Sequence, residues 1–385
     1  MWIYLSTFAV SIGLTACGEI SYKKKNKIGY VVCLVLAVLL VTLLAGLRDT
    51  TVGTDGESYR WWVADAENYT SVFQAMKMGR GTEPVYMALL YLAVQIFGSI
   101  QGLFLLTGLL TYAFAMAALA CLREHIALSY GWAAYLFLFY GNSLNQLRQA
   151  LAMTVVLFAL ALLMRKKYFA SVILLVLSVG IHNTAVLGIG ILLVYLVLKR
   201  WDTVQVKVVM VCGLIAAAVF YQPLFHLMEK LGLPISRFVW YLNGGEVHFS
   251  LNPILVRLPF LLLALWFYRE FAAEEQEENS SFVRSDADFL LIMMVAELVT
   301  AEMRVISVDI YRISLYFGLI RCFLIGRIAR VLERKAEQNS FWRIILAGIM
   351  ALLVLIWIYQ AYIQGNNAIC PYTSEILHIG RETFF

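Results

Sequence analysis

Charge is what this chain most lacks. Only 14% of its 385 residues are Asp, Glu, Lys or Arg, 62% are hydrophobic, and the mean hydropathy is +0.78. A soluble domain carries roughly 25% charged residues. No water-soluble core can bury so much apolar surface, which excludes a cytosolic enzyme, a secreted disulfide scaffold and a nucleic-acid-binding domain. Cysteine is also sparse. Cys17, Cys33, Cys121, Cys212, Cys322 and Cys370 form no C-x-x-C pair, and five lie in or beside apolar runs, where they read as small buried hydrophobes. The five histidines are scattered, with neither H-E-x-x-H nor Cys/His metal spacing, so neither a metal nor any other cofactor is expected. Gly53-Thr54-Asp55-Gly56 is not a Walker loop, because no Lys-Ser/Thr follows. No clear internal repeat supports an inverted-repeat transporter.

Long apolar runs, in contrast, are abundant. A helix needs about 20 apolar residues to cross a bilayer. Clear candidates are 2–20, 28–47, 102–121, 204–221, 289–303 and 341–360, with shorter ones at 84–97, 149–164, 169–181, 184–198, 253–268 and 310–326. The first does not read as a cleaved signal peptide, because Lys23, Lys24, Lys25 and Lys27 follow the apolar run. By the positive-inside rule these lysines are cytoplasmic, as are Arg165-Lys166-Lys167, Lys199-Arg200 and Arg327 through Lys335. If 84–97, 102–121 and 130–141 all crossed, Arg165-Lys166-Lys167 would fall outside. One segment must fail, and we expect 130–141 to be that one, since it is short and runs into Asn142-Ser143-Leu144-Asn145-Gln146. The expected fold is an all-α polytopic integral membrane protein, a single transmembrane domain over 1–385. It has about twelve transmembrane helices plus one re-entrant or partial segment, and both termini outside.

This topology places 9 Lys and 9 Arg inside and 2 Lys and 10 Arg outside, which accounts for all 30. An outer face that keeps Arg and abandons Lys suggests anion recognition, because the guanidinium fork binds phosphate or carboxylate bidentately. Alternatively, some of these arginines snorkel or pair with Glu.

The outer loop 48–83 carries Arg48, Gly53, Asp55, Gly56, Tyr59 and Arg60, then Trp61, Trp62 and Tyr69, which suit an interfacial helix. Arg48, Asp55 and Arg60 either face a ligand or form a capped turn with an Arg–Asp pair. Arg148 opens a membrane helix, where a cation opposes the macrodipole and needs an anionic partner. His182 falls near the outer turn of a helical hairpin, as a hydrogen-bonded structural residue or a general base. Glu297, Glu302, Arg304, Asp309 and Arg312 form a last charged group, and Arg257 lies beneath the outer loop 222–252, which also carries Arg237, Trp240, Tyr241 and His248. Asp286-Ala287-Asp288 has the D-x-D form of nucleotide-sugar glycosyltransferases, but within the acidic cytoplasmic loop 270–288 it reads as a solvated cap of the next helix.

Taken in order, Arg48, Gly53-Thr54-Asp55, Tyr59, Glu83-Pro84, Arg148-Gln149-Ala150 with Ala152, His182, Arg312 with Tyr316-Phe317, and Pro371-Tyr372 resemble the EpsG-like, Wzy-type exopolysaccharide polymerases of bacteria. Where that family prefers an aromatic after Gly-Thr-Asp, this chain has Gly56, and where it often has Ser or Ala after the His, Asn183 stands here. The resemblance implies a multi-pass protein of the bacterial cytoplasmic membrane, compatible with a GT-C-like architecture. On the outer face it would transfer a growing glycan from undecaprenyl pyrophosphate to the non-reducing end of a new repeat unit. Arg148, Arg304 and Arg312, with Arg48 and Arg257 as secondary partners, would bind pyrophosphate. His182 would be the general base and Asp55 the alternative. Arg60, Gln149, Glu302, Arg237 and Tyr59 would contact substrate. Expected partners are the lipid-linked oligosaccharide, membrane lipids, a flippase and a chain-length regulator, with no nucleic acid. The rival readings are a lipid-linked oligosaccharide flippase and a membrane O-acyltransferase.

Overall fold

The computed structural model describes residues 1–78, 82–201, 203–220, 251–277, 285–302 and 308–380, with a few positions between 221 and 231. The described chain is helical and contains no strand. Among the described residues, six helices are long and apolar enough to cross a membrane: Trp2–Lys23, Lys27–Gly46, Ile100–Cys121, Leu147–Met164, Asn183–Arg200 and Phe341–Ile363. Several shorter apolar helices accompany them, so this is a polytopic membrane protein. The chain divides into two units, 1–186 with 325–385, and 187–324.

In the first unit, α1 (Trp2–Lys23) and α2 (Lys27–Gly46) form a hairpin whose turn is capped by the Asn26 side chain accepting from Gly29 N at 2.9 Å. Both line the central helix α7 (Leu128–Asn145), most of whose side chains are buried. At the lysine-bearing end, the Glu19 carboxylate of α1 accepts from the first amides of α7, Leu128 N at 2.7 Å and Ser129 N at 3.1 Å. At the other end, Asn145 Oδ1 accepts from Thr54 N, and Asn145 Nδ2 donates to Asn367 O at 3.0 Å. The 18 residues of α7 span about 27 Å at 1.5 Å per residue, close to a bilayer core. The expectation of a partial segment at 130–141 is therefore corrected. Its Tyr, Trp, Gly and Asn content reflects protein neighbours in place of lipid: Trp132 Nε1 donates to Ser11 Oγ at 2.8 Å and the Tyr140 hydroxyl to Val41 O at 2.9 Å.

Helix α5 (Pro84–Phe97), in contrast, keeps both of its ends at one end of the bundle. Its start at Glu83 meets the first turn of α8 (Leu147–Met164) and the end of α9 (Tyr168–Ile181). Its end at Phe97 packs on Gly102, in the first turn of α6 (Ile100–Cys121), and Leu105 of α6 packs on Gly46 at the end of α2. The far end of α6 lies elsewhere, with Cys121 Sγ 3.7 Å from Ala161 O near the end of α8. Both ends of α5 thus share the Arg148 end of the unit with α3 (Gly56–Ala66) and α4 (Val72–Met78). Arg123 belongs to the lysine-bearing end, with its guanidinium 4.7 Å over the Tyr22 ring.

After α16 (Arg321–Gln338) and α17 (Phe341–Trp357) the chain crosses the Arg148 end as an irregular tail. Asp49 N donates to Thr373 O and Gly53 N to Ala368 O, both at 3.0 Å, and the Tyr372 hydroxyl donates to Leu44 O at 2.9 Å. Gly53 is required here: its φ is +101°, and a Cβ would lie 2.5 Å from Asn145 Oδ1.

In the second unit, α11 (Val204–Val219), α12 (Asn252–Trp266) and α15 (Val308–Gly318) pack on α14 (Ser285–Ala301), which α10 (Val186–Arg200) and α13 (Tyr268–Glu277) accompany. The solvated reading of Asp286-Ala287-Asp288 is corrected. Both carboxylates are buried in the first turn of α14, and Asp288 pairs with Lys207 and accepts from the Tyr268 hydroxyl at 2.8 Å. The partners come from two other helices, α11 and the start of α13, and nothing in the sequence around 286–288 points to them.

Candidate functional site

Three ionisable side chains from three separate segments meet at the Arg148 end of the first unit. Pro84 sets the first helical position of α5, which leaves Glu83 extended at the N-cap with its carboxylate turned to the neighbouring helices. Glu83 Oε2 accepts from Arg148 Nη1 at 2.7 Å. Glu83 Oε1 pairs with His182 Nδ1 at 2.9 Å and accepts from Asn183 N at 2.9 Å. His182 has extended backbone at the junction between α9 and the short 3-10 turn Asn183–Ala185, so its amide still closes α9 while the ring turns sideways.

The Arg148 guanidinium lies 4.8 Å over the Trp62 ring, and Trp62 meets the Tyr59 ring edge-on at 5.4 Å. Stacking fixes the plane of the guanidinium while one edge faces Glu83. The Glu83, His182 and Arg148 side chains are 10%, 18% and 25% exposed, so water reaches the group only in part. Burial pushes the Glu83 carboxyl up. The hydrogen bonds from His182 and the Asn183 amide outweigh it and bring the value down to about 2. Glu83 is therefore an ionised acceptor throughout the physiological range. Placed against Nδ1, it orients the ring and directs Nε2 away from itself. Burial also pushes the Tyr59 phenol up to about 12, which keeps it protonated.

The remaining residues singled out in the sequence are distributed as follows. Arg48 is fully buried and donates to the carbonyls of Ala45, Val52 and Leu144 while stacking on Phe104 at 3.7 Å. It ties the loop after α2 to the end of α7 and is part of the framework. Asp55 stands at the N-cap of α3 and accepts from the Thr54 hydroxyl at 3.0 Å. Arg60 donates to Thr50 Oγ1 at 2.7 Å and pairs with Glu57 at 3.3 Å. Gln149 is buried beside Arg148 on α8, and Tyr59 is buried on α3. Arg237 and Arg304 lie outside the described residues.

Arg257 belongs to a separate cluster in the second unit. Its Nη2 donates to the Tyr311 hydroxyl at 2.9 Å and its Nε lies 3.1 Å from Glu297 Oε1, a Coulombic contact with poor hydrogen-bond direction. Arg321 Nη2 approaches the same oxygen at 3.1 Å. Gly318 makes this approach possible, because a Cβ there would lie 2.5 Å from Glu297 Oε1. Arg312 follows Tyr311 on α15, and Glu302 is half-buried just beyond α14.

Two participants escaped the sequence reading. Glu83 was named in the sequence only with Pro84, as one member of the ordered series, and was given no role at the site. Arg321 lay in the apolar run 310–326 and carried the same signal as Glu297, a charge where charge is expensive.

A helical membrane bundle that gathers a carboxylate, an imidazole and a guanidinium at one of its ends defines a polytopic membrane protein with an ionisable site near a membrane face. The profile of the EpsG family matches residues 9–374, and the chain belongs to that family, whose members are exopolysaccharide-polymerase-type membrane proteins. Comparisons with curated proteins and with solved structures found no match.

Proposed function

We propose that the protein is a glycosyltransferase that polymerises oligosaccharide repeat units carried on undecaprenyl pyrophosphate, at the outer face of the bacterial cytoplasmic membrane. The observation that carries this reading is the Glu83–His182 pair standing beside Arg148. The imidazole donates its Nδ1 proton to Glu83 and presents Nε2 as an acceptor. A hydroxyl at the non-reducing end of the acceptor unit attacks the anomeric carbon of the growing glycan. A new carbon–oxygen bond forms, the bond from that carbon to the pyrophosphate oxygen breaks, and the hydroxyl proton passes to Nε2. The departing pyrophosphate carries the electron pair, and the guanidinium of Arg148 stabilises the charge that develops on it. The donor is already activated, so the step needs no nucleotide. Arg312 and Arg304 are further candidate anion contacts, and Asp55 is the alternative base.

The test is reconstitution of the purified protein in vesicles with a lipid-linked repeat unit, scored as a ladder of glycan lengths. His182→Gln keeps a hydrogen-bonding side chain but offers no usable base. It should bind the lipid-linked unit and form no ladder, with a rate loss on the order of 100-fold to 10,000-fold. A normal ladder from this variant would remove His182 from the chemistry and promote Asp55.

A further inference from the structure

The lysine-bearing end of the first unit holds a cavity that this reaction does not use. It encloses about 300 Å³ between the end of α1, the start of α2, the turn after α6 and α16. Four cationic side chains line it, Lys23, Arg123, Arg330 and Arg334, against two carboxylates, Glu19 and Glu124.

Both carboxylates are committed elsewhere. Glu19 accepts from Leu128 N, Ser129 N and the Ser129 hydroxyl, so its charge is directed into the first turn of α7. Glu124 pairs with Arg165 at 3.0 Å. Arg330 is committed as well: it donates to the carbonyls of Arg123 and Ile126 at 2.9 and 2.8 Å and to Glu333 at 3.1 Å. Its work is to hold the turn after α6. The Lys23 ammonium and the Arg123 guanidinium then carry the positive potential on which the cavity's chemistry turns. The Arg123 guanidinium is held face-on to Tyr22 at 4.7 Å and stands 5.9 Å from the Tyr30 ring. Arg123 Nη1 donates to Ala120 O at 3.0 Å, while its buried Nε and the buried Tyr30 hydroxyl have no well-directed hydrogen bond among the described residues. Buried donors of this kind, beside an excess of positive charge, call for an acceptor.

We propose that this cavity binds a phosphate ester at the inner membrane surface. A guanidinium of fixed plane, a mobile ammonium and a phenol suit a phosphoryl group with several acceptor oxygens. Tyr22, Tyr30 and Leu128 give the walls an apolar part that fits the carbon skeleton of an ester better than a bare ion. The site lies at the ends of α1 and α6, at headgroup depth. On the cytoplasmic side that is where anionic lipids concentrate and basic side chains attract them. The chemistry is shared by an anionic phospholipid headgroup and a soluble glycerol phosphate.

The experiment uses the full-length protein in nanodiscs of phosphatidylcholine, with and without phosphatidylglycerol, and reads the thermal unfolding midpoint. Phosphatidylglycerol should raise the midpoint of the wild type. Lys23→Gln and Arg123→Gln should each require about fivefold more of it for the same rise. Glycerol 3-phosphate added to phosphatidylcholine discs identifies the source: protection that the variants weaken supports the same site with a soluble ligand. Lys23 is exposed, so Lys23→Gln carries the test if Arg123→Gln does not fold. Absence of any rise with either probe, or an equal rise in wild type and variants, overturns the proposal.

Discussion

Glu83→Gln is the most informative single change, because it leaves size and shape almost intact while removing the charge that three donors share. The ordinary carboxylate value is about 4.5 and the folded value about 2, and that difference corresponds to about 3 kcal/mol of stabilisation at neutral pH. Arg148 and His182 keep 25% and 18% exposure, and solvent screening reduces the expected loss to about 1–2 kcal/mol. The sign follows from the direction of the shift. A depressed carboxylate stabilises the folded protein fully above about pH 4.5, and that contribution disappears as pH falls to about 2. Unfolding in detergent should therefore show a constant gap between wild type and variant above pH 5 that closes on acidification. Catalysis should suffer more than stability. Without an anionic acceptor at Nδ1 the ring loses its fixed tautomer and orientation, and polymer formation should drop on the order of 100-fold to 10,000-fold. Glu83 acts through His182, so adding Glu83→Gln to His182→Ala should lower the residual rate no further. Wild-type polymerisation by Glu83→Gln, or losses that add in the double variant, would refute this account.

Further outcomes follow from the same geometry. Arg148→Lys retains the charge but loses the fork and the stacking on Trp62, so it should express normally and form little polymer in the ladder assay; full activity would reduce Arg148 to a point charge. With single cysteines in an otherwise cysteine-free protein, position 97 should label from the same side as position 60, and position 123 from the side of position 166; common labelling of 97 and 123 would contradict the placement of α5. Gly318→Ala forces a Cβ against Glu297 and should lower stability by about 1–3 kcal/mol in thermal unfolding, whereas an unchanged midpoint would mean that the Glu297–Arg321 contact yields freely.

Hydropathy made the class of fold legible, because a bilayer demands apolar surface wherever a helix meets lipid. It failed where a helix meets protein. The aromatic and amide side chains of α7 lowered its apolar score because they face α1, α2 and α6, and the mostly apolar 14-residue α5 reads alike whether it crosses or doubles back. The parity of basic clusters could not choose between two short segments, 84–97 and 130–141. At the site, the need of Arg148 for an anion was legible from its place at a helix start. That the anion is Glu83, 65 positions away, was not. Nothing local in a sequence records a meeting of a helix cap, a helix start and a hairpin turn. The same limit hid the partners of Asp288 and the pairing of Arg321 with Glu297.

The tail beyond α17 imposes an order on biosynthesis. The Tyr4 hydroxyl donates to Ile369 O across 365 positions, and the loop from Asp49 to Gly53 is pinned by Thr373 and Ala368. During cotranslational insertion α1, α2 and α7 are in the membrane long before those carbonyls exist. The end of the bundle that carries Glu83, Arg148 and His182 is therefore completed late, after nearly all the other helices have left the ribosome. A nascent chain stalled before residue 366 would hold its spans but leave the Asp49–Gly53 loop untethered, an open target for surveillance proteases. A bulky fusion placed just after α17 would have the same effect on a finished chain.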